Sequence, residues 1–410
     1  MHVNLRKGLL AIAMIGAAPS AFADVITDWN EKAVAFVTPR MVPAAGQRVV
    51  AIMQVAMFDA VNSIERRYRP YLVQLPTAAI ASEEAAAAAA AGTVLVGLYP
   101  QDADLKSALA AYLAAIPNSD EKSAGFKLGE AVAAKVLEAR ANDGADAPDA
   151  YRYKTKPGVY VPTPITVSST WPNVKPFALS STSQFRPEPP LALKSEQWAA
   201  DYNEIKELGN KTSSKRSARQ TEDARFWLIT GPQSTEPVVR QIVAAKNMSL
   251  IDSARFMALT SVAGADAAIA VFDAKYHYDF WRPITAIRNG DTDDNPATDR
   301  DASWQPIDNT PMHPEYPCAH CVISGAVASA IEAALGTADI PGVAMTSSTA
   351  PGVTHRWTNI RAYNDEVSHS RIWAGFHYRS SVRVGQDMGR KIGEHVVKNL
   401  MLPVTTTVAR

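Results

Sequence analysis

The fold of this chain is decided by residues 250–275, which read LIDSARFMALTSVAGADAAIAVFDAK. Between Phe256 and Phe272 the only charged residue is Asp266. A helix that is apolar on nearly every side is usually buried in the core of a large protein. We therefore expect this segment to form a central helix, with the rest of the chain packed around it.

Helical patterns continue on both sides of this segment. Apolar residues recur at helical spacing and period-two alternation is scarce, so β-sheet is at most a minor element. We predict an all-α fold with a helical-bundle architecture. The other predicted helices cover residues 44–64, 80–99, 101–116, 119–141, 195–208, 218–229, 237–245, 318–335 and 363–400, the last broken or bent near 375–381.

A long irregular stretch, residues 146–190, is rich in Pro, Ser and Thr. A loop of this length in a compact domain is usually either functional or disordered. Tyr160, Trp171 and Phe177 favour an ordered loop, because aromatic residues are depleted in solvated tails. We expect it to wrap over the helices and to separate an N-terminal helical region, 24–190, from a C-terminal one, 191–410.

Composition limits the classes of partner. The chain has 410 residues, 47% of them apolar, which is enough to bury a large core. Its 41 basic and 41 acidic residues cancel, so no overall field attracts nucleic acid or an anionic membrane. Any anion site must be local, and we expect a small-molecule substrate. The sequence is compatible with a homo-oligomer but does not define one.

The first 23 residues resemble an export signal. Arg6 and Lys7 precede an apolar run, residues 8–18, and Ala21-Phe22-Ala23 follows it. The alternative is a membrane anchor, but eleven apolar residues are too few to span a bilayer, which needs about 20. No later segment is a convincing membrane span. We expect an exported protein, periplasmic or secreted.

Candidate functional residues concentrate in the C-terminal region. Seven of the eight histidines lie between His277 and His395, together with the basic residues Lys275, Arg282 and Arg371. Lys275 and Arg282 are seven residues apart, two turns of one helical face if the helix continues that far.

Arg371 and His377 are six residues apart and would point about 120° away from each other on a straight helix. A bend at Gly375 would let both reach one point. Buried cations need an anion, and two alternatives stay open. The cations share one anion, or each pairs with a nearby carboxylate of its own, from Asp273, Asp279 or Asp365.

Both cysteines lie in HPEYPCAHC, residues 313–321. Haem attachment needs a His directly after the second cysteine, where Val322 stands. A zinc site lacks the usual spaced ligand pairs, and a thioredoxin-like redox pair lacks a preceding strand. The pattern favours a proline-set turn that opens a helix at Cys318, with His320 beside an anion bound by free amides. An intrachain disulfide could join only Cys318 and Cys321.

Three spaced motifs resemble the superfamily of type 2 phosphatidic acid phosphatases and vanadium-dependent haloperoxidases. Its pattern is Lys, six residues, Arg-Pro; then Pro-Ser-Gly-His; then Ser-Arg, five residues, His. Here the motifs begin at Lys275, Pro317 and Ser370, in that order. They cover the C-terminal third, and the proline-rich loop also resembles exported bacterial haloperoxidases. The resemblance implies the helical bundle of that superfamily.

The same resemblance assigns roles residue by residue. It implies that Lys275, Arg282 and Arg371, with the side chain of Cys318 and the helix-start amide of Ala319, hold the oxygens of vanadate or phosphate. His377 would bond to the central atom, and His320 would act as acid or base at the opposite oxygen.

Three positions depart from the family pattern. Cys318 and Ala319 replace serine and glycine, and a thiol is a weaker donor than a hydroxyl. Ser381 replaces the acidic residue often found four positions after the last histidine, so the orienting partner of His377 is unknown.

The resemblance implies a vanadium haloperoxidase-like enzyme, with vanadate as cofactor, that oxidises halide with hydrogen peroxide. His313 stands where some members have a second histidine and chloride-oxidising ones have phenylalanine, which favours bromide or iodide; a surface histidine is the alternative. An exported acid phosphatase that forms a phosphohistidine at His377, and a non-catalytic oxyanion-binding protein, remain open.

Overall fold

The computed structural model describes residues 24–77, 80–162 and 164–404, so the predicted export signal lies outside the described residues. This part of the chain forms thirteen α-helices and one two-stranded hairpin, which confirms the prediction of an almost entirely helical fold. The elements are α1 (Val25–Val37), α2 (Pro43–Glu65), α3 (Glu83–Leu98), α4 (Ala103–Ala115), α5 (Asp120–Arg140), α6 (Glu196–Leu208), α7 (Ala218–Phe226), α8 (Glu236–Ala245), α9 (Leu250–Tyr278), α10 (Pro283–Arg288), α11 (Ala319–Leu335), β1 (Asp339–Ser347), β2 (Ala350–Asn359), α12 (Ile360–Trp373) and α13 (Arg379–Asn399).

Helix α9 is the central helix that its composition predicted. Ser249 caps its start by accepting the backbone N–H of Asp252, and the helix packs against α1, α2, α8, α11 and α13. In the part of the chain that the structure describes, it is the one helix long and apolar enough to cross a membrane. Its apolar window is 100% buried inside the protein, as in the core helix of a globular domain.

The main hydrophobic core runs through both predicted regions. It includes Trp29, Phe58 and Leu128 from before residue 190, and Met257 and Ile392 from after it. The two regions therefore share one continuous core rather than each having its own.

Helices α11 and α13 lie unusually close together and run in the same direction. A Cβ atom on Gly389 would lie 2.3 Å from the carbonyl oxygen of Val322, and one on Gly393 would lie 2.3 Å from that of Ala326. Only glycine permits this approach of two backbones. Because the helices are parallel, their N-terminal ends lie side by side.

The proline-rich loop is ordered against the central helix. Asp266, the charge in the middle of α9, accepts backbone N–H groups of Phe177, Ala178 and Leu179 at 2.6, 2.7 and 3.0 Å. Arg140 holds the same segment, with its guanidinium 3.9 Å from the ring centroid of Phe177. A buried carboxylate that accepts three N–H bonds offsets its desolvation cost by fixing this loop.

Several elements differ from the sequence predictions. Helix α1 was not predicted, nor was the antiparallel hairpin of β1 and β2, in which Met345 pairs with His355. Helix α9 ends at Tyr278, and Asp279 adopts a left-handed conformation with φ of 52°. The idea that Lys275 and Arg282 share one helical face is therefore wrong, because Arg282 lies beyond this break at the start of α10.

Candidate active site

Seven of the candidate site residues meet at one end of the bundle. They come from the end of α9, the start of α10, the segment before α11, the first turn of α11, the end of α12 and the bend between α12 and α13. In chain order they are Lys275, Arg282, His313, Ala319, His320, Arg371 and His377.

Lys275 is fully buried. Its ammonium donates to the carbonyl oxygens of Pro314 and Glu315 at 2.9 and 2.8 Å. Burial, and then the neighbouring charge of Arg282, hold the pKa of Lys275 well below its usual value. Two of its three N–H donors are thus occupied, which leaves one for another acceptor.

Arg282 is the hub of the site. Its Nε donates to the carbonyl of His313 at 2.9 Å, and its Nη1 donates to the carbonyl of Phe376 at 3.0 Å. Nη1 also lies 3.2 Å from Nε2 of His377, and Nη2 lies 3.0 Å from Nδ1 of His313. Burial lowers the pKa of Arg282 to about 10, although Glu315 opposes the shift.

Arg371 is buried beside it and is less completely bonded. One Nη atom donates to the carbonyl of Trp227, and the guanidinium lies 4.9 Å from the ring centroid of Phe376. Its Nε has no hydrogen-bond partner among the described residues. Burial, and then the charge of Arg282, lower the pKa of Arg371 to about 9. A buried donor left without an acceptor is costly.

None of these three cations has a carboxylate of its own. Within the described ranges, no carboxylate oxygen lies within 4.0 Å of Lys275, Arg282 or Arg371, which removes the private-partner alternative. The three acids that the sequence offered are engaged elsewhere: Asp273 with Arg186 at 2.8 Å, Asp279 with the Tyr151 hydroxyl at 2.7 Å, and Asp365 with Gln386 at 2.9 Å.

Glu315 is the functional residue that the sequence reasoning missed. It is completely buried, and its Oε1 accepts from His377 Nδ1 at 2.9 Å and from the backbone N–H of Tyr378 at 3.1 Å. It supplies the carboxylate that the sequence could not locate at Ser381. Burial raises the pKa of Glu315 to about 7, although Lys275 and Arg282 oppose the shift.

The tautomer of His377 follows from its two neighbours. Arginine can only donate, so Nε2 must accept from Arg282, and Nδ1 carries the hydrogen that Glu315 accepts. Burial, and then Arg282 and Lys275, hold the pKa of His377 well below its usual value. The ring is therefore neutral and keeps its Nε2 lone pair toward the cations.

His320 and His313 are also neutral. Burial, and then Arg371, lower the pKa of His320, whose Nε2 donates to the carbonyl of Ile229 at 3.0 Å. Burial, and then Lys275, lower the pKa of His313, whose ring lies edge-on to Phe272 with centroids 5.2 Å apart. His313 is thus part of the site wall rather than a surface residue.

A disulfide joins Cys318 and Cys321 in the first turn of α11. Cys318 caps the helix, with its sulfur accepting the N–H of Cys321 at 3.3 Å. The expected S–H donor of Cys318 is therefore absent, since a disulfide sulfur has no hydrogen. The amide of Ala319, at the first position of the helix, has no intrahelical acceptor and is available to an anion.

A cavity opens onto His313 and His320. His313, His320 and Ala319 form its floor, and Phe272, Val167, Ile323 and Val367 provide mostly apolar walls. A wider, open cleft reaches Arg282 from another side, past Tyr160 and the segment 305–312. The site therefore combines a buried cationic centre with an apolar approach.

Comparisons with known proteins agree on one family. A family model described as the vanadium chloroperoxidase N-terminal domain matches residues 22–167, and one described as the VCPO second helical-bundle domain matches residues 255–405. Vanadium chloroperoxidase of Curvularia inaequalis is 29% identical over 269 residues, which are 51% of this chain and 42% of that protein. The match therefore spans less than half the length of this curated relative.

Solved structures show the same fold. The structure described as the first bacterial vanadium-dependent iodoperoxidase superposes with a TM-score of 0.79, 24% identity, and coverage of 93% of this chain and 96% of that one. A holo-type bacterial vanadium-dependent chloroperoxidase gives a TM-score of 0.70 at 17% identity, with coverage of 89% and 93%.

Proposed function

This chain belongs to the vanadium haloperoxidase superfamily, and from that premise we propose that it binds vanadate and oxidises a halide with hydrogen peroxide. The observation that carries the proposal is the cluster of three buried cations without carboxylate partners of their own. Lys275 and Arg282 lie near a single buried carboxylate, Glu315, and Arg371 lies near Arg282, so the site keeps a net positive charge. A small anion with several oxygens fits that charge and the unpartnered Nε of Arg371.

The residues present suit vanadate. Lys275, Arg282, Arg371 and the amide of Ala319 would hold its oxygens, and His377 would bind through Nε2. When bound, vanadate supplies a Lewis-acidic centre that activates peroxide toward the halide. The protein's contribution is to pre-orient the imidazole: Glu315 fixes the hydrogen on Nδ1, which makes Nε2 a better ligand.

His320 is proposed as the acid or base of the reaction. Its Nε2 hydrogen is committed to Ile229, so Nδ1 is the atom that accepts a proton and later returns it. Burial among cations keeps the ring neutral, so the lone pair of Nδ1 is free. The apolar cavity walls exclude water and thereby strengthen each charge interaction at the centre.

We propose bromide or iodide rather than chloride as the substrate. The support is His313, which occupies the wall next to Arg282 where the chloride-oxidising relatives that this sequence resembles have phenylalanine. The iodoperoxidase structure with a TM-score of 0.79 is consistent with this choice.

We also propose that the protein is exported. The sequence of residues 1–23 and the Cys318–Cys321 disulfide support this location, since disulfides persist in oxidising compartments.

The deciding experiment assays the purified chain, stripped of oxyanions, with and without added vanadate. We expect peroxide-dependent oxidation of bromide or iodide that requires vanadate, and its loss in His377→Ala but not in the matched control His395→Ala. Phosphoester hydrolysis that vanadate inhibits would instead indicate an acid phosphatase. Binding of vanadate without either reaction would indicate an oxyanion-binding protein.

A further inference from the structure

A second cluster of ionisable side chains lies where α7 packs against β2 and α12. Its members are Arg219, Glu222 and Asp223 on α7, His355 on β2 and Glu366 on α12. Asp223 and His355 are 4% and 2% exposed. The proposed function uses none of these residues.

The orientation of His355 is fixed from two sides. Its ring stacks on Phe226 with centroids 3.9 Å apart and an interplanar angle of 4°. Its Nδ1 lies 2.5 Å from Oε1 of Glu366. Glu366 also accepts the indole N–H of Trp227 at 3.0 Å. In its contact with His355 the carboxylate oxygen is the acceptor, so Nδ1 carries the hydrogen.

The other nitrogen of His355 then faces negative charge. Nε2 lies 3.4 Å from Oε1 of Glu222 and 3.8 Å from Oδ1 of Asp223. Nε2 has no hydrogen-bond partner among the residues that the structure describes, and Oδ1 of Asp223 is paired there with Nε of Arg219 at 2.8 Å. Nε2 thus points at two carboxylate oxygens, and a cation bound between these three atoms would give each of them a partner.

The single positive charge of Arg219 does not balance the three carboxylates with which it is paired. Arg219 is the one arginine paired with the cluster's carboxylates in the described residues, against Glu222, Asp223 and Glu366. Its side chain is 57% exposed, so water screens its charge. Its Nε lies 2.8 Å from Oδ1 of Asp223, but a long exposed stem can move aside and keep its contact with Glu366.

We propose that Glu222, Asp223 and His355 bind a divalent transition-metal ion of the zinc type, at a site separate from the oxyanion centre. Ligands about 2.0–2.1 Å from a tetrahedral ion are about 3.3 Å apart, and Nε2 lies 3.4 and 3.8 Å from the two oxygens. One imidazole and two carboxylates are ligands that such ions accept. Glu366 is the outer carboxylate that typically holds a metal-bound imidazole by its other nitrogen.

The ion would connect this corner of the fold to the active site. It would tie α7 to the β1–β2 hairpin. Trp227, which follows α7 directly, donates its indole N–H to Glu366 at 3.0 Å and accepts from Arg371 through its carbonyl. Metal binding would thus stabilise the carbonyl that positions an oxyanion-binding arginine.

The test uses the full-length protein, treated with chelator, and zinc as the probe. We expect one zinc per chain by calorimetry and elemental analysis, and a higher melting temperature with zinc. Glu222→Gln should weaken zinc binding by about 100-fold, at or above the cost of losing an outer partner. The matched control Glu332→Gln also removes a partly exposed, arginine-paired carboxylate and should bind zinc as the parent does.

His355→Gln should abolish zinc binding, with circular dichroism to check its fold. Because Glu222 is partly exposed, its variant stays informative even if the buried histidine proves essential for folding. Cobalt(II) in place of zinc should give the visible absorption of a tetrahedral nitrogen and oxygen site. No stoichiometric zinc, or equal affinity in Glu222→Gln and the parent, would overturn the proposal; equal affinity would place the ion elsewhere, for example at the active-site histidines.

Discussion

Glu315→Gln separates two contributions of one buried carboxylate. The oxygen that His377 Nδ1 and the Tyr378 amide donate to is kept in glutamine, but its negative charge is lost. His377 then becomes a weaker base at Nε2, because its orienting partner is neutral. At the same time Lys275 and Arg282 lose the one carboxylate near them, so the attraction of the site for any oxyanion grows.

The expected change in oxyanion affinity follows from these two opposing effects. A hydrogen bond to a charged group contributes about 1.5–3 kcal/mol and a neutral one about 0.5–1.5 kcal/mol. Loss of an outer partner of a metal-bound histidine typically costs about 10–100-fold in affinity. The electrostatic gain applies equally to phosphate and vanadate, whereas the loss of imidazole basicity applies only to an ion that bonds to His377. The dissociation constant for vanadate, divided by that for phosphate, should therefore rise about tenfold or more.

Calorimetric titration of the oxyanion-free protein with each ion measures this ratio. Glu236→Gln is the matched control, since Glu236 is also a fully buried carboxylate, and its hydrogen bonds go to Asn30 and Ser261 rather than to any oxyanion-binding residue. Its ratio should equal that of the parent. If Glu315→Gln changes the two affinities by the same factor, Glu315 does not act through His377 and the reasoning is refuted.

Three further predictions concern the cations and the loop. Lys275→Met should weaken phosphate and vanadate alike by about tenfold or more, the value of a charge-assisted hydrogen bond, and titration with both ions would reveal any selective loss that contradicts this. Oxyanion affinity should fall as the pH rises toward and above about 9, because burial lowers the pKa values of Lys275, Arg371 and Arg282 and these groups lose positive charge there. Their pKa values are lower in the folded than in the unfolded chain, so the anion-free protein should become more stable as pH rises through that range; thermal unfolding with and without vanadate tests both effects, and flat profiles would contradict them. Asp266→Asn should destabilise the fold by about 1–3 kcal/mol, because one amide oxygen cannot satisfy three N–H groups, and unchanged hydrogen exchange at residues 177–179 would contradict it.

The helices could be predicted because their signal is local. Apolar spacing fixed most of them to within a few residues, and the absence of charge identified α9 as central. The positions of Lys275, Arg282, Arg371 and His377 in one site followed from a family resemblance rather than from any local pattern. Spacing alone left open whether each cation pairs with a carboxylate of its own. It also suggested that Lys275 and Arg282 share one helical face, which the break at Asp279 rules out.

The features that were missed depend on contacts between distant segments. Glu315 lies in a proline-rich turn, and nothing near it in sequence indicates that it faces His377, 62 residues later. Strand β1 contains Pro341 and Gly342, which obscure its alternation, so the hairpin was not recognised. The sequence allowed either two free thiols or a disulfide at Cys318 and Cys321, and the structure shows the disulfide.

The parallel packing of α11 and α13 has a consequence for how this site can change. Gly389 and Gly393 bring the two backbones into contact, so the segments that carry His320 and His377 behave as one rigid unit. Changes in loops away from this contact should leave the distance between the imidazoles of His320 and His377 unchanged. Substitutions in the cavity walls, at residues such as Val167 and Phe272, can therefore change which substrates reach the centre without moving the two imidazoles.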